Sequence, residues 1–208
     1  MMTPVTGDFL ETLVQTIRAG FQHSAYPGDA YLQGTFEGCE PYDEVGPFKG
    51  ITDWSVLEAP FLDGHYCAPG FFSEAGFRFF IPAYLVADVR GLLRTADPTF
   101  HLTHGFSDQS YQGTQADGTV IVHRWGKSVL LGPRRYGAMT WCDHARHRLS
   151  VFNREEAAAI VAYLSWKREV APEYLDERRT IDAALDLFWL ERARSAPTAA
   201  DLARGQDR

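Results

Sequence analysis

The first helical pattern of the chain covers residues 9–21, where hydrophobic residues recur three and four positions apart. This spacing predicts an amphipathic α-helix that buries one face. Asp8 stands at the N-cap position and Glu11 at the reciprocal place three residues later, which is typical of a helix start. The positions expected to face the core are Leu10, Leu13, Val14, Ile17 and Phe21.

The most hydrophobic pattern is EAGFRFFIPAYLVADVRGLLR, over residues 74–94. Apolar residues occupy every side of its first turns, and a helix that is apolar all round is a buried one. Ser73 is placed to cap this helix at its N-terminus. Pro82 removes one backbone donor, which predicts a kink or a division into two helices. We therefore expect this segment to be the central element of the core.

Weaker patterns flank this segment. Residues 30–71 are rich in glycine, proline and aromatic residues, which predicts loops and short helices, and residues 95–118 predict a further loop. TVIVHRW and SVLLG alternate in the manner of strands and predict a hairpin joined at Gly126-Lys127, with QSYQGT compatible with a third strand. The residues expected to anchor the first of these regions are Phe48, Trp54, Leu57 and Phe61.

Two more helices are predicted near the C-terminus. Asn153 with Glu156 three residues later predicts a capped helix start, and Pro172 suits the first turn of a last helix. The low hydrophobicity of residues 195–208 predicts a mobile tail. The pattern as a whole predicts a mainly helical α+β fold: one domain over residues 1–194, with a small antiparallel sheet at about 109–131 between the central buried helix and two C-terminal helices. The apolar stripe of the last helix is Leu175, Ile181, Leu185, Phe188 and Trp189.

Several segments, taken in order, resemble an uncharacterised family of small bacterial proteins described as a domain of unknown function. The family carries an F-x-G-x-x-x-W segment and a "PEAfryyLPAYL"-like helix, and the resemblance covers about residues 10–194. It implies the order of the elements and carries no activity. Gly76 departs from the pattern, and residues 105–145 look inserted or divergent. The matching segments are PGD (27–29), CEPYDE (39–44), FKGITDW (48–54), FFSEAGFRFFIPAYL (71–85), RLSVFNREEAAAIVAYL (148–164) and AALDLFW (183–189).

Composition favours a soluble cytoplasmic protein with one core. The chain has 208 residues, of which 45% are hydrophobic, enough for a single substantial domain. We expect no signal peptide at the start MMTPVTGDFLET and no membrane span, because the longest apolar segment is too short. The odd, scattered cysteines, Cys39, Cys67 and Cys142, do not suggest a disulfide framework.

The charge is distributed unevenly along the chain. The net charge is −7, but residues 124–154 contain seven basic residues and only one acid, Asp143. This basic strip indicates an anion-binding or nucleic-acid-binding patch, or else a solvated face that complements the acidic first half of the chain. The candidates for binding a single anion are Arg134, Arg135, Arg146 and Arg148; the strip also contains Arg124, Lys127 and Arg154, with Trp125, Tyr136 and Trp141 available to stack on bases.

A second candidate chemistry is metal binding. HLTH and WCDHARHR place histidines three residues apart in two segments, and histidine and cysteine are the ligands that zinc prefers. None of the standard zinc spacings is present, and the neighbouring Arg146 and Arg148 disfavour a bound cation. The alternative is a partly buried structural cluster. No cofactor is predicted outright, while zinc or another divalent metal stays open, with the ligand set His101, His104, Cys142, His144 and His147.

Arg78 raises a structural question, because it lies in the helix that should be most buried. A buried guanidinium is costly unless it is paired. We expect Glu74, four residues earlier, and Asp43 or Glu44 from the preceding loop to be its partners, so that Arg78 would tie residues 39–58 to the central helix.

No phosphate-binding loop or serine-hydrolase motif is present in the sequence. The leading hypothesis is therefore a non-enzymatic interaction protein of the immunity, defence-accessory or adaptor type, with another protein as its partner and no membrane. The second hypothesis is a metal-dependent, hydrolase-like enzyme that uses the His/Cys cluster. The third is anion or nucleic-acid binding through the basic strip.

Overall fold

One buried helix and two clusters of aromatic rings organise the fold. A computed structural model describes residues 7–114, 119–171 and 176–206. The helices are α1 Gly7–Gly20, α2 Glu40–Val45, α3 Ala59–Gly64, α4 Ala68–Phe71, α5 Glu74–Val89, α6 Pro98–Thr103, α7 Pro133–Tyr136, α8 Trp141–Leu149, α9 Arg154–Val170, α10 Glu177–Ala184, α11 Leu190–Ser195 and α12 Ala199–Gln206. The strands are β1 Gln109–Thr114 and β2 Val120–Trp125, and a π-helical segment, Leu185–Trp189, joins α10 to α11.

The predicted central helix is confirmed as α5. Twelve of its sixteen residues are buried, and the Ser73 hydroxyl caps it by accepting the Gly76 N–H at 3.0 Å. The helix continues through Pro82 and is not divided there. Proline costs one backbone hydrogen bond at this point, and burial of the surrounding apolar side chains offsets that loss.

Two groups of rings pack against α5. In the first, the ring of Phe48 meets those of Phe61, Phe72 and Phe80, each at a centroid distance of 4.9 Å. The second is centred on Phe152, which precedes α9 and contacts Phe21, Phe77 and Trp189 at 5.5–6.1 Å. These pairs meet mostly edge to face, the geometry that the ring quadrupoles favour.

Helix α9 packs against both α1 and α11, and α1 also packs on α5. A polar network joins the C-terminal end of α5 to the second half of α9. Asp88 accepts the Tyr163 hydroxyl at 2.7 Å and the Lys167 ammonium at 2.8 Å. Tyr163 is fully buried and its oxygen also lies 2.9 Å from the Thr99 hydroxyl, so α6 is held by the same network. The mainly helical α+β architecture follows from this packing.

The small sheet is confirmed, but its strands pair differently from the prediction. β1 pairs with β2 in antiparallel register, from Gln109 opposite Trp125 to Thr114 opposite Val120. The segment SVLLG forms no strand beside β2; one isolated bridge joins Leu130 to Thr140. The backbone of this segment forms other hydrogen bonds: the Val129 carbonyl accepts the Trp141 N–H, and the Leu131 N–H donates to the Met139 carbonyl.

The loop predicted for residues 95–118 is only partly a loop. Residues 95–118 contain α6 and β1, because Asp97 accepts the Phe100 N–H at 3.1 Å and Pro98 follows it in the first turn. Asp97 therefore caps a helix within the segment that was predicted to be a loop. Pro172 and Leu175 lie outside the described residues. The mobility of residues 195–208 stays a prediction; the described part includes a buried Ala196 and α12, whose first N–H is bonded to Glu155.

The predicted partners of Arg78 are wrong. Its Nε donates to both carboxylate oxygens of Glu156, at 2.9 and 2.8 Å, and Glu156 is completely buried at the start of α9. Glu74 and Asp43 are exposed, while Glu44 lies near Tyr84 and raises that residue's pKa, second to burial. Arg78 is placed on the face of α5 that meets α9, so it ties these two helices together and not residues 39–58.

We predict that Glu156→Gln destabilises the protein by about 2–4 kcal/mol, because the amide leaves Arg78 without a counter-charge. The expected loss in the free energy of unfolding is at or below the loss that is usual for breaking a buried ion pair, because the Arg78 side chain is 24% exposed. The matched control is Asp143→Asn. Asp143 occupies the same capping position in α8 but is exposed and hydrogen-bonds to Thr140, so we expect a clearly smaller loss than for Glu156→Gln. Urea unfolding measures both, and equal losses would contradict the assigned role of the pair.

A second prediction concerns Gly76, which lies in the first turn of α5. Alanine is the better helix former by about 1 kcal/mol. A Cβ at residue 76 would lie only 2.7 Å from the Leu32 carbonyl oxygen, so Gly76→Ala should nevertheless lower the stability. Gly64→Ala at the end of α3 is the control, because no heavy atom lies within 4 Å of its Cβ. Thermal unfolding of the two variants checks this, and a Gly76→Ala variant more stable than the wild type would refute it.

Candidate functional site

The predicted histidines lie on two neighbouring helices. His101 lies in α6 and His104 directly follows that helix, so the two, three residues apart, share one face. His144 and Arg148 are four residues apart and share one face of α8. The two helices approach closely at Gly105, which has a φ of +95° and would place a Cβ 2.7 Å from the Trp141 carbonyl oxygen. Glycine is required there, and the close approach brings the two polar faces together.

Between these faces lies a cavity of about 160 Å³, the α6–α8 cavity. Its walls are aromatic: the His104 ring lies between Phe100 and Trp141, at centroid distances of 4.7 and 4.8 Å. Trp141 also meets the edge of His144 at 6.2 Å. The lining residues are Gly70, Phe100, His101, His104, Trp141, His144, Ala145, Arg148 and Leu149.

Arg148 supplies the positive charge of the cavity. Its guanidinium lies 4.7 Å from the centre of the Phe77 ring and donates one hydrogen bond to the Pro69 carbonyl. Within the described part of the chain it forms no salt bridge. Burial lowers the pKa of Arg148, and the charge of Glu74 partly opposes that shift. An arginine has five N–H donors and keeps its charge in proteins, so most of its donor capacity is left for a ligand.

The three histidines are neutral at physiological pH. Burial lowers the pKa of His101 to about 3, and the positive charge of Arg148 adds to the shift. Burial likewise lowers the pKa of His104 and His144, with Arg148 contributing to both. A neutral imidazole has one N–H donor and one acceptor nitrogen. No residue that the structure describes hydrogen-bonds to these three rings, so their donors are available in the cavity.

The five predicted metal ligands do not converge. Cys142 packs against the hydrophobic core and His147 is exposed on α8. On a helix, residue 142 lies about 200° from residue 144, which directs the two side chains apart. Within residues 7–114, 119–171 and 176–206, no group of three or more histidine, cysteine or acidic side chains is placed to hold a metal ion. Arg148 lines the same cavity as the remaining histidines, and its charge opposes a cation there.

The described arginines of the basic strip differ in their contacts. Arg135 pairs with Glu37 and Arg146 donates to the Leu187 carbonyl at 2.6 Å, whereas Arg148 lines the cavity. The side chains of Arg134 and Arg124 lie outside the described residues. Of the four predicted anion-binding arginines, Arg148 is the one that the structure places in the α6–α8 cavity.

Sequence reasoning missed part of this site. Phe100 and Gly70 line the cavity and were assigned no role, while His101, His104 and Arg148 were assigned to two separate hypotheses. The Asp97-Pro98 cap is a signal that could have placed the first two histidines on a helix. The Thr140–Asp143 capping box is the corresponding signal for α8.

Comparisons with known proteins do not add a relative: no family model, no curated protein and no solved structure matches this chain. The resemblance to a bacterial family of unknown function therefore stays an expectation. Among the described residues, no helix is both long enough and apolar enough to cross a membrane.

We predict that His101 makes stability depend on pH. Its folded pKa of about 3 lies below the unfolded value of 6.5, so the unfolded chain binds the proton more readily. The contribution of neutral His101 to the free energy of unfolding is therefore complete above pH 6.5. It is lost as the pH falls towards 3, by up to about 1.4 kcal/mol per pH unit. In urea unfolding, His101→Gln should lose less stability than the wild type between pH 6.5 and pH 5.

The control for this comparison is His147→Gln, on the exposed side of α8. It should lose as much stability as the wild type over the same pH range. A His101→Gln variant that shows the full wild-type loss would contradict the assignment of the pH dependence to His101.

Proposed function

We propose that this protein is a binding protein that recognises an anionic group, a carboxylate or a phosphate, in the α6–α8 cavity. The observation that carries the proposal is Arg148. It is a partly buried guanidinium that lines a cavity and has no carboxylate partner among the described residues. A charge in such a position is costly unless something pairs with it, and a bound anion supplies the pair.

The rest of the cavity suits the same ligand. Arginine offers two parallel N–H groups that match the two oxygens of a carboxylate or phosphate. The neutral imidazoles of His101, His104 and His144 can each donate one more hydrogen bond without adding charge. The donors come from two helices held at a fixed distance by Gly105, so the site is organised before the anion arrives.

The size of the cavity indicates what carries the anionic group. A volume of about 160 Å³ is below the roughly 300–1,000 Å³ of sites for whole small molecules. It accommodates one anionic group and the first atoms attached to it. Phe100, which is 50% exposed, stands beside the cavity and offers an apolar contact to the remainder of the ligand.

These features support the interaction-protein hypothesis in a specific form. The partner would be a protein that presents an acidic side chain, a terminal carboxylate or a phosphate to the cavity, and the exposed aromatic ring would pack on the neighbouring residues of that partner. Aromatic residues and arginine are the types that contribute most to such contacts. The hypothesis of a metal-dependent enzyme has no support among the described residues, since no metal-ligand set forms there.

The test is calorimetric titration of the protein with inorganic phosphate and with acetate. We expect saturable binding of at least one of them, weakened about tenfold or more by Arg148→Gln, because one charged hydrogen bond is worth about 1.5–3 kcal/mol. Arg148→Lys keeps the charge but not the paired donors, and should bind more weakly than the wild type.

Arg135→Gln is the matched control. It removes the same charge from an exposed arginine of the basic strip and should leave the affinity unchanged. Thermal unfolding establishes that each variant is folded. If neither anion binds to the wild type, or if Arg135→Gln weakens binding as much as Arg148→Gln, the proposal is refuted.

A further inference from the structure

A second and larger concave site lies along the C-terminal half of α5 and shares no lining residue with the α6–α8 cavity. This α5 cleft has a volume of about 780 Å³, within the range of sites for small molecules. Its floor is the C-terminal half of α5, where Ala83, Val86 and Ala87 present their remaining exposed surface. Trp54 and the segment that follows it form one wall, and the turn after α5 forms the other.

The rim of the cleft is both apolar and unusually exposed. Val56 and Leu92 line it and are 64% and 54% exposed. Gly91, with a φ of +67°, closes the end of α5 by donating to the Asp88 carbonyl, and Leu92 donates to the Ala87 carbonyl. This is the arrangement of a Schellman motif, in which the last carbonyls of the helix are satisfied internally. A ligand in the cleft therefore meets apolar side chains and not free helix carbonyls.

Three arginines surround this apolar floor. Arg18 comes from α1, Arg90 from the end of α5 and Arg94 from the turn that follows. Within the described residues, Arg18 and Arg94 form no salt bridge, and Arg90 has only Glu11 at 3.7 Å. Arg18 lies within electrostatic range of Asp53, and Arg94 within range of Asp63, but neither pair is in salt-bridge contact.

The two carboxylates at the cleft do not neutralise this cluster. Asp63 is used to build the wall, because it accepts the backbone N–H groups of Arg94, Thr95 and Ala96 at 2.9–3.2 Å. Glu58 is exposed at the mouth. Among the residues that line the cleft, three arginines stand against two carboxylates, while Glu11 beside Arg90 and Asp53 near Arg18 lie outside the lining. Most of the acceptor capacity of Asp63 is already taken.

We propose that the α5 cleft binds a small organic acid with an apolar body, of the fatty-acid or aryl-carboxylate class. The apolar floor would cover the body and the arginines would bind the carboxylate. A partner helix fits less well. A helix is about 10 Å across and rises 5.4 Å per turn, so two turns would fill the cleft while presenting only two or three side chains. This is less than a stable protein interface needs, which is about 1,000 Å².

The experiment uses octanoate as the acid and octanamide as its neutral counterpart, titrated calorimetrically into the full chain. We expect octanoate to bind and octanamide to bind about tenfold more weakly, because the carboxylate gains charged hydrogen bonds. Arg90→Gln and Arg94→Gln should weaken octanoate binding by a similar factor and leave octanamide unchanged. Val56→Ser, at an exposed position that tolerates a polar residue, should weaken both ligands.

One control and one fixed background make the outcome decisive. Arg194→Gln removes one exposed charge on α11, away from the cleft, and should have no effect. All octanoate titrations are made in an Arg148→Gln background, so that a carboxylate bound in the α6–α8 cavity does not contribute to the signal. The proposal is overturned if octanoate does not bind, if it binds equally to Arg90→Gln and Arg94→Gln, or if an acidic amphipathic peptide binds through these arginines while octanoate does not.

Discussion

The buried carboxylate of Glu156 is the constraint on which the arrangement of the helices depends. It accepts the backbone N–H of Asn153 at the start of α9 and pairs with Arg78 of α5, so one group terminates one helix and orients another. Arg192 of α11 lies close by and donates to the Phe152 carbonyl at 2.7 Å. Burial raises the pKa of Glu156, while Arg78 and Asn153 act against that shift. A charge with no exposure tolerates little movement of its partners, which keeps α5, α9 and α11 in fixed relative positions.

Both candidate sites depend on α5, which this pair holds in place. Phe77, in its first half, supports the guanidinium of Arg148 in the α6–α8 cavity. Val86, in its second half, forms part of the floor of the α5 cleft. The two residues are separated by nine positions, about 14 Å along the helix axis. One rigid apolar element thus provides the surface for two separate concave sites, each with arginine as its source of charge, and the aromatic packing around α5 gives both sites stable walls.

The parts of the fold that could be predicted are those determined by neighbouring residues. The caps at Ser73 and Asn153 form the hydrogen bonds that their sequence positions indicate, and the apolar periodicity correctly marks α5 as buried. Helix α6 was missed because its six residues provide too little apolar periodicity to predict a helix. The pairing of β2 was predicted wrongly because two candidate partners were available in the sequence, and long-range hydrogen bonds around residues 129 and 131 removed one of them.

The sequence by itself determined that the segments with a cap and a long apolar pattern are helical, as in α1, α5 and α9, and it named His101, His104, His144 and Arg148 as candidate site residues. The tertiary structure alone decided that these four residues share one cavity, that Arg78 pairs with Glu156, and that Arg148 is left without a carboxylate among the described residues. The physical reason is that a helix cap or an apolar face requires only residues a few positions apart. A charged side chain, in contrast, can pair with any of the 27 acidic residues that the folded chain brings near it.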